Sequence, residues 1–151
     1  MNRKALKFGN VMLCDYVAKG DSNKFVLVNT YSGDIVVQHF PAAIPFGLYC
    51  EYLPDKIGKI DIMLKIKIGS TIIAEAVVSI EVFDINPQVI VLSNFVSQFE
   101  DSNTIEILAS SEEFKNTIVL SKKVYQGNVA QPSIVASSQS SEQSLPNAPA
   151  P

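Results

Sequence analysis

The chain has 151 residues, of which 47% are hydrophobic, and its 12 Lys and Arg residues against 15 Asp and Glu residues give a formal net charge of −3. This length fits one domain of ordinary size, which can bury a core without disulfide staples. Lys and Arg never occur in runs longer than two, so the chain offers no broad positive surface for phosphates. We therefore expect no nucleic-acid partner.

The first segment, residues 1–7, is a short basic extension that begins like a secretory signal. Gly9, Asn10 and Asp15 interrupt the apolar stretch that such a signal needs. Leu13 is too large to precede a lipidated Cys14, and no apolar run approaches the ~20 residues of a membrane helix. We expect a cytoplasmic protein without a membrane anchor.

Apolar and polar residues alternate through most of residues 8–125, with turn residues roughly every 8 to 12 positions. Apolar residues nowhere keep helical spacing over three turns. The pattern predicts an all-β domain of about nine antiparallel strands. Its even spacing favours a β-sandwich of Ig-like or C2-like type, and a β-barrel is the alternative.

The early strands are predicted at residues 10–18, 24–31, 35–40 and 46–53. Val26, Leu27 and Val28 are apolar on both faces of their strand, which predicts a central position in a sheet. Residues 41–45 include Pro41 and Pro45. Because proline cannot donate to a strand ladder, this segment is predicted to cross over outside the sheets.

The clearest hairpin joins residues 60–68 to residues 72–83. Only a three-residue loop, Gly69-Ser70-Thr71, brings the two apolar faces together without a break in the alternation. The predicted pairs are Ile68 with Ile72, Ile66 with Ala74, Leu64 with Ala76, Ile62 with Val78, and Lys65 with Glu75. Since Ala74 and Ala76 are small, a large residue of the facing sheet is expected to fill the space beside them.

Three further strands are predicted at residues 89–99, 104–110 and 117–125. Residues 126–151 are rich in Ser, Gln and Pro and carry a single charge, Glu142, which predicts a disordered tail. The apolar residues Ile134 and Val135 of this tail are candidates for docking on a partner or on the domain's own edge strand. A tail that only solubilises the protein is the alternative.

Candidate catalytic groups are few: the chain has one histidine, His39, and two cysteines, Cys14 and Cys50. A nucleophilic cysteine needs a neighbouring base, but His39 ends a strand and both cysteines lie in core-like strands, where reduced buried thiols are expected. Three Cys and His residues are too few for structural zinc, and the turn acids form no D-x-D cluster for calcium. We expect no catalytic, cofactor or metal site.

Prolines and aromatic residues near the predicted crossover indicate an interaction surface. Its candidate residues are Pro41, Ile44, Pro45, Phe46 and Tyr49, together with Ile134 and Val135 of the tail. The chain is therefore predicted to be a non-catalytic protein-interaction or structural module with an unknown protein partner, which includes a homo-oligomer. Two alternatives stay open. One is a small-molecule-binding protein or an enzyme built on Cys14 and His39 with Asp15 or Asp34, and the other is a subunit of a larger assembly such as a phage particle.

Several short motifs in the N-terminal half carry a resemblance. They are Leu13-Cys14-Asp15, Lys24, Asn29-Thr30-Tyr31, Gly33-Asp34-Ile35, Phe40-Pro41-Ala42 and Ile44-Pro45. Through them, residues 11–53 resemble a family of small bacterial β proteins catalogued as a domain of unknown function, and residues 60–83 match more loosely. The resemblance implies a bacterial or phage-encoded, non-secreted sandwich without an established activity, and it supplies no catalytic residues.

Overall fold

A computed structural model describes residues 7–128, so residues 1–6 and most of the predicted tail, residues 129–151, lie outside the described part. The described part contains strands and no helix, which confirms the all-β prediction. The nine strands are β1 (Phe8–Lys19), β2 (Phe25–Thr30), β3 (Ile35–Val37), β4 (Ala42–Tyr52), β5 (Gly58–Ile68), β6 (Thr71–Val82), β7 (Gln88–Phe99), β8 (Asn103–Ser110) and β9 (Thr117–Gln126).

The strands form two sheets, in the orders β2-β1-β4-β7 and β3-β9-β8-β5-β6. This arrangement confirms the predicted sandwich over the barrel alternative. One pairing departs from the antiparallel prediction, because β3 runs parallel to β9. The short β3 has only three residues, and its partners are Val124, Tyr125 and Gln126.

Strand order identifies the sandwich as Ig-like. Without the edge strands β2 and β3, the sheets read β1-β4-β7 and β9-β8-β5-β6. These are the positions of strands A, B and E in one immunoglobulin sheet and of G, F, C and C′ in the other. Constant-type immunoglobulin domains place strand D beside E. In the described part of this chain, β7 holds the E position and has no strand on that side.

The core lies between the two sheets because each strand turns alternate residues inward. In β8, Ile105, Ile107 and Ala109 are buried, while Glu106 between them is half exposed. Phe46 of β4 is also fully buried and packs against Phe95 and Phe99 of β7, with ring centroids 5.5 Å and 6.4 Å away. The alternation seen in the sequence is therefore the alternation of core and surface.

The β5–β6 hairpin confirms four of the five predicted pairs: Ile66 with Ala74, Leu64 with Ala76, Ile62 with Val78, and Lys65 with Glu75. The predicted turn is wrong. Ile68 pairs with Thr71, so the loop is the two residues Gly69 and Ser70, and Gly69 adopts a φ of +57°. A bulge between Ile66 and Lys67 then restores the facing of the apolar residues.

The predicted crossover at residues 41–45 is also wrong, because β4 begins at Ala42 and passes through Pro45. The ladder with β1 reaches only from Tyr52 to Gly47, so on that side Pro45 lies beyond the paired region. On the other side Pro45 faces Val96 of β7. A strand tolerates proline where one of its edges has no ladder, which explains how β4 extends through this position.

The apolar segment at residues 26–28 belongs to β2, which lies at the edge of its sheet. The prediction of a central strand is therefore wrong, and Val26 is 56% exposed. A strand that is covered on both faces has apolar residues on both faces, but such residues do not by themselves show that both faces are covered. Here one of the two faces remains open to solvent.

Candidate functional site

The predicted interaction surface is split by the alternation along β4. Pro41 and Pro45 are exposed and Tyr49 is half-buried. Ile44 and Phe46 are only 6% and 0% exposed, because they point into the core. Their assignment to a surface is wrong, since a strand that includes residues 42–46 must turn alternate residues inward. The remaining candidates, Ile134 and Val135, lie outside the described residues.

Both cysteines are buried free thiols, as the sequence predicts. Cys14 Sγ lies 3.3 Å from the carbonyl oxygen of Tyr16 and 3.4 Å from that of Gly47, to which the thiol can donate. Burial raises the pKa of the Cys14 thiol, and it raises the pKa of Cys50 to about 12. Reactive cysteines have lowered pKa values and open access. The two thiols therefore have the properties of core residues.

The other groups of the Cys/His hypothesis have separate structural contacts. His39 is exposed, and within residues 7–128 its side chain has no hydrogen bond or ion pair to either thiol. Asp15 accepts hydrogen bonds from the Tyr31 hydroxyl and from Asn29 Nδ2, the latter at 2.9 Å. Asp34 accepts from the backbone N–H of Lys123 at 2.9 Å. Both carboxylates therefore make local structural contacts, and neither forms a hydrogen bond with Cys14 or His39 within the described residues.

Neither a metal-binding group nor a membrane-spanning helix occurs in the described part of the chain. No group of three or more His, Cys, Asp and Glu side chains is placed to hold a metal ion among residues 7–128. The same residues contain no helix with the length and apolar character needed to cross a membrane.

An open, mainly apolar region lies on the side of the sandwich where β6 and β7 lie. Each is the last strand of its sheet, so two edges without a further described strand face the same side. Two cavities lie between them, and we call the pair the β6–β7 groove. The cavities are lined by Leu64, Ile66, Ala74, Glu75, Ala76, Leu92, Ser93 and Phe95, and by Ile68, Thr71, Ile73, Gln98, Phe99, Glu100, Asp101 and Asn103.

The first cavity has a volume of about 140 Å³ and is mainly apolar. It exists because β6 presents Ala74 and Ala76 opposite the larger Ile66 and Leu64. Leu92 and Phe95 of β7 approach from the facing sheet, as the sequence predicts for large residues. They do not fill the space, so the prediction that a large residue of the facing sheet fills it is wrong.

The second cavity, of about 260 Å³, continues the groove toward the β5–β6 turn. Ile73, the residue that the bulge leaves without a partner in β5, lines it together with Phe99. Glu100 and Asp101 give this end two carboxylates, and neither forms an ion pair within the described residues. The groove therefore runs from an apolar part to an acidic end.

The sequence contains part of the signal for this groove. Two alanines opposite two large residues indicate a gap, and the register of the hairpin places it correctly. The missing information is tertiary: the order of strands determines that β6 and β7 are both edges and that they lie on the same side. The second cavity also depends on the bulge at Ile73, which alternation does not predict.

Comparison with models of known protein families gives no match, and comparison with curated protein sequences gives no significant match. The resemblance of residues 11–53 to a family of small bacterial β proteins therefore stays a prediction, as do the bacterial or phage origin and the cytoplasmic location. Any function must be argued from the site itself.

Proposed function

We propose that this domain is a non-catalytic protein-interaction module that binds an extended segment of a partner protein in the β6–β7 groove. One observation carries the proposal: two edge strands from different sheets lie beside each other with an apolar groove between them. An unpaired edge offers backbone N–H and C=O groups to an added strand. The groove beside it offers pockets for the side chains of that strand.

Ig-like topology supports the same mode of binding. In constant-type immunoglobulin domains a strand lies next to the one at the β7 position. In the described part of this chain that place is open, so an incoming segment can pair with β7 without displacing a strand. Backbone hydrogen bonds then provide affinity, and every second side chain of the segment points toward the groove.

The lining defines the chemistry of the partner segment. Its inward side chains should be apolar where they meet Ala76, Leu92 and Phe95. At the other end, Glu100 and Asp101 favour a Lys or Arg, because opposite charges across an interface steer and orient association. We therefore expect an extended segment with alternating apolar residues and a basic residue at one end.

A display library of random dodecapeptides, selected on the full chain, tests this proposal. We expect enrichment of peptides with alternating apolar residues and a terminal Lys or Arg. Ala76→Phe, which fills the first cavity, should weaken binding of the selected peptides by at least about tenfold. The double variant Glu100→Gln, Asp101→Asn should weaken the basic peptides and reduce the salt dependence of their binding.

Val77→Phe is the matched control, because Val77 lies on the same strand but is exposed and does not line the groove. Its peptide affinity should equal that of the parent chain. Selection of no peptide, or equal affinity of the selected peptides for Ala76→Phe and Val77→Phe, would contradict the proposal. Circular dichroism of each variant checks that the β structure is retained.

A further inference from the structure

A second concave site lies away from the groove, where β1, β2 and β4 meet. It has a volume of about 250 Å³, and we call it the Glu51 cleft. Its lining residues are Asn10, Met12, Asn23, Phe25, Leu27, Tyr49 and Glu51. All come from strands of the first sheet or from the turn between β1 and β2. Apolar and aromatic side chains therefore surround a single carboxylate.

The carboxylate of Glu51 is held by neutral donors. Asn10 Nδ2 donates to Oε2 at 2.7 Å, and the Tyr49 hydroxyl donates to Oε1 at 3.1 Å. Among residues 7–128, no Lys or Arg forms an ion pair with Glu51, although Lys24 adjoins Phe25 in the chain. The side chain is thus oriented by two hydrogen bonds, while its negative charge has no counter-ion in the described structure.

Two aromatic rings stand beside this charge. The centroids of Phe25 and Tyr49 are 5.7 Å apart with an interplanar angle of 66°, so the rings present differently oriented faces. Ring faces attract cations through their quadrupole, and the attraction increases when the cation is partly removed from water. Met12 adds a polarizable thioether to the same wall.

The backbone is shaped to form the cleft. A bulge in β1 falls between Gly9 and Met12, and Asn10 within it has a φ of 42°. Bulges reorient side chains, which accounts for the contact of Asn10 with Glu51.

From this geometry we infer that the Glu51 cleft binds an organic cation, an ammonium or guanidinium group with an apolar stem. The cationic head meets the Glu51 carboxylate, and the stem lies against Phe25, Tyr49 and Met12. A free small molecule or an Arg or Lys side chain of a partner protein can supply this chemistry. The inference does not depend on the proposed function of the β6–β7 groove.

Titration of the labelled full chain with argininamide, followed by NMR, tests the inference. Both argininamide and the matched probe citrullinamide are used as Nα-acetyl derivatives, so that the two have nearly the same shape and the guanidinium of argininamide is the only charge. We expect saturable shifts of the Met12 methyl and Tyr49 ring signals with a dissociation constant in the millimolar range for argininamide, and at least about tenfold weaker binding of citrullinamide. Equal binding of the two probes, or no saturable shift at these signals, would overturn the inference.

A short peptide with one internal Arg distinguishes the two sources. Binding of this peptide at least about tenfold tighter than that of argininamide would identify a protein side chain as the ligand, and equal or weaker binding would identify a free cation. Either result requires the same charge and the same cleft, so both support the site itself.

Substitutions locate the binding site. Glu51→Gln keeps the acceptor for Asn10 but removes the charge, and it should weaken argininamide binding by about tenfold or more. Tyr49→Leu should weaken it as well, and Tyr49→Phe should restore most of the affinity because it retains the ring. Glu81→Gln removes an exposed carboxylate on β6 and should have no effect. The same affinity of Glu51→Gln and Glu81→Gln for argininamide would refute the assignment. Ala76→Phe changes only the groove, so this variant should bind argininamide as the parent chain does, whatever the outcome of the peptide test.

Discussion

One end of the sandwich is sealed, and the side between β6 and β7 is open. At the sealed end, the ring of Phe8 lies 5.8 Å from that of Tyr52 and 5.6 Å from that of Phe114. Lys7 Nζ lies 2.6 Å from Asp55 and 3.2 Å from Glu113 over these rings, and Lys56 Nζ lies 2.7 Å from Glu113. At the open side, the cavities remain between two edge strands.

The difference has a simple origin. Phe114 belongs to the loop between β8 and β9, which folds over the sealed end and supplies a ring where the sheets would otherwise separate. The segment between β6 and β7, residues 83–87, lies at this same end, because it connects the partners of Gly58 and Tyr52, and its Phe83 is 82% exposed. The β8–β9 loop completes the core at the sealed end, whereas no described segment covers the groove between the edge strands β6 and β7. We infer that the sealed end contributes stability and the open side contributes recognition.

The largest expected effect is on the sealed end. Phe8→Ala should lower the free energy of unfolding by about 3–5 kcal/mol, because it removes a buried ring and leaves a cavity. Phe83→Ala is the matched change at an exposed ring and should stay within about 0.5 kcal/mol. Urea unfolding of both variants measures the difference. Similar losses for the two would show that the buried ring of Phe8 does not hold the sealed end together.

An intermediate effect compares two alanines in one row of the second sheet. Leu64 pairs with Ala109 of β8 on one side and with Ala76 of β6 on the other. Ala109→Leu should destabilise by about 1–3 kcal/mol, because it overpacks a filled core. Ala76→Leu should stabilise by about 0.5–2 kcal/mol, because it enters an existing cavity.

Thermal and urea unfolding of the two leucine variants provides the measurement. Destabilisation by Ala76→Leu comparable to that by Ala109→Leu would mean that the space beside Ala76 cannot accept a side chain. The proposed peptide site would then lose its main support, since it requires apolar side chains to enter at this point.

Much of the fold could be predicted from the sequence, because the alternation that defines each strand is visible within a short stretch of residues. Alternation in residues 60–68 defines a half-buried strand, and the register that makes Lys65 face Glu75 follows from which residues are apolar. The wrong turn of this hairpin reflects a local bulge, whereas two other wrong predictions depend on distant strands. Pro45 fits inside β4 because β1 ends its ladder at Gly47, and β2 is an edge because no strand pairs beyond it in the described part of the chain.

The candidate site was predicted only in fragments. The sequence predicts Tyr49 on a surface, and it lies in the Glu51 cleft, but it also predicts Ile44 and Phe46 on that surface, and both are core residues. Nothing local in the sequence connects Phe25 with Tyr49 or Ala76 with Leu92. Those contacts arise from the bulge in β1 and from the order of strands, which single-sequence alternation does not encode.

A smaller effect concerns the charges over the sealed end. The ammonium of Lys56 lowers the pKa of Glu113 through a side-chain hydrogen bond, and Lys7 lowers it further. A lowered folded-state pKa contributes stability above the unfolded pKa, and this contribution disappears as the pH falls through the folded value. The side chain of Glu113 is 18% exposed although the residue as a whole is exposed, so its ion pairs are only partly shielded from solvent.

Glu113→Gln should therefore lower the free energy of unfolding by about 1 kcal/mol at pH 7. The gap to the parent chain should shrink as the pH falls below 4.5, the ordinary pKa of a glutamate. Glu81→Gln, which changes an exposed carboxylate, should show neither effect. Urea unfolding from pH 7 downward measures this, and a gap that does not change with pH would contradict the role of the carboxylate charge.

The smallest effect concerns Ser97, which lies in β7 between Phe95, a lining residue of the first cavity, and Phe99, a lining residue of the second. Its side chain is buried opposite Ile44, and its hydroxyl has no hydrogen-bond partner among the described residues. A buried hydroxyl without a partner is unfavourable, so Ser97→Ala should stabilise the chain by about 0.5–1 kcal/mol. Ser93→Ala, an exposed change on the same strand, should be neutral in urea unfolding.

Peptide affinity separates two roles for the Ser97 hydroxyl. An unchanged affinity in Ser97→Ala would assign it to the core alone, and a reduced affinity would assign it to the bound strand, in which case the open side sacrifices stability for recognition at a single atom.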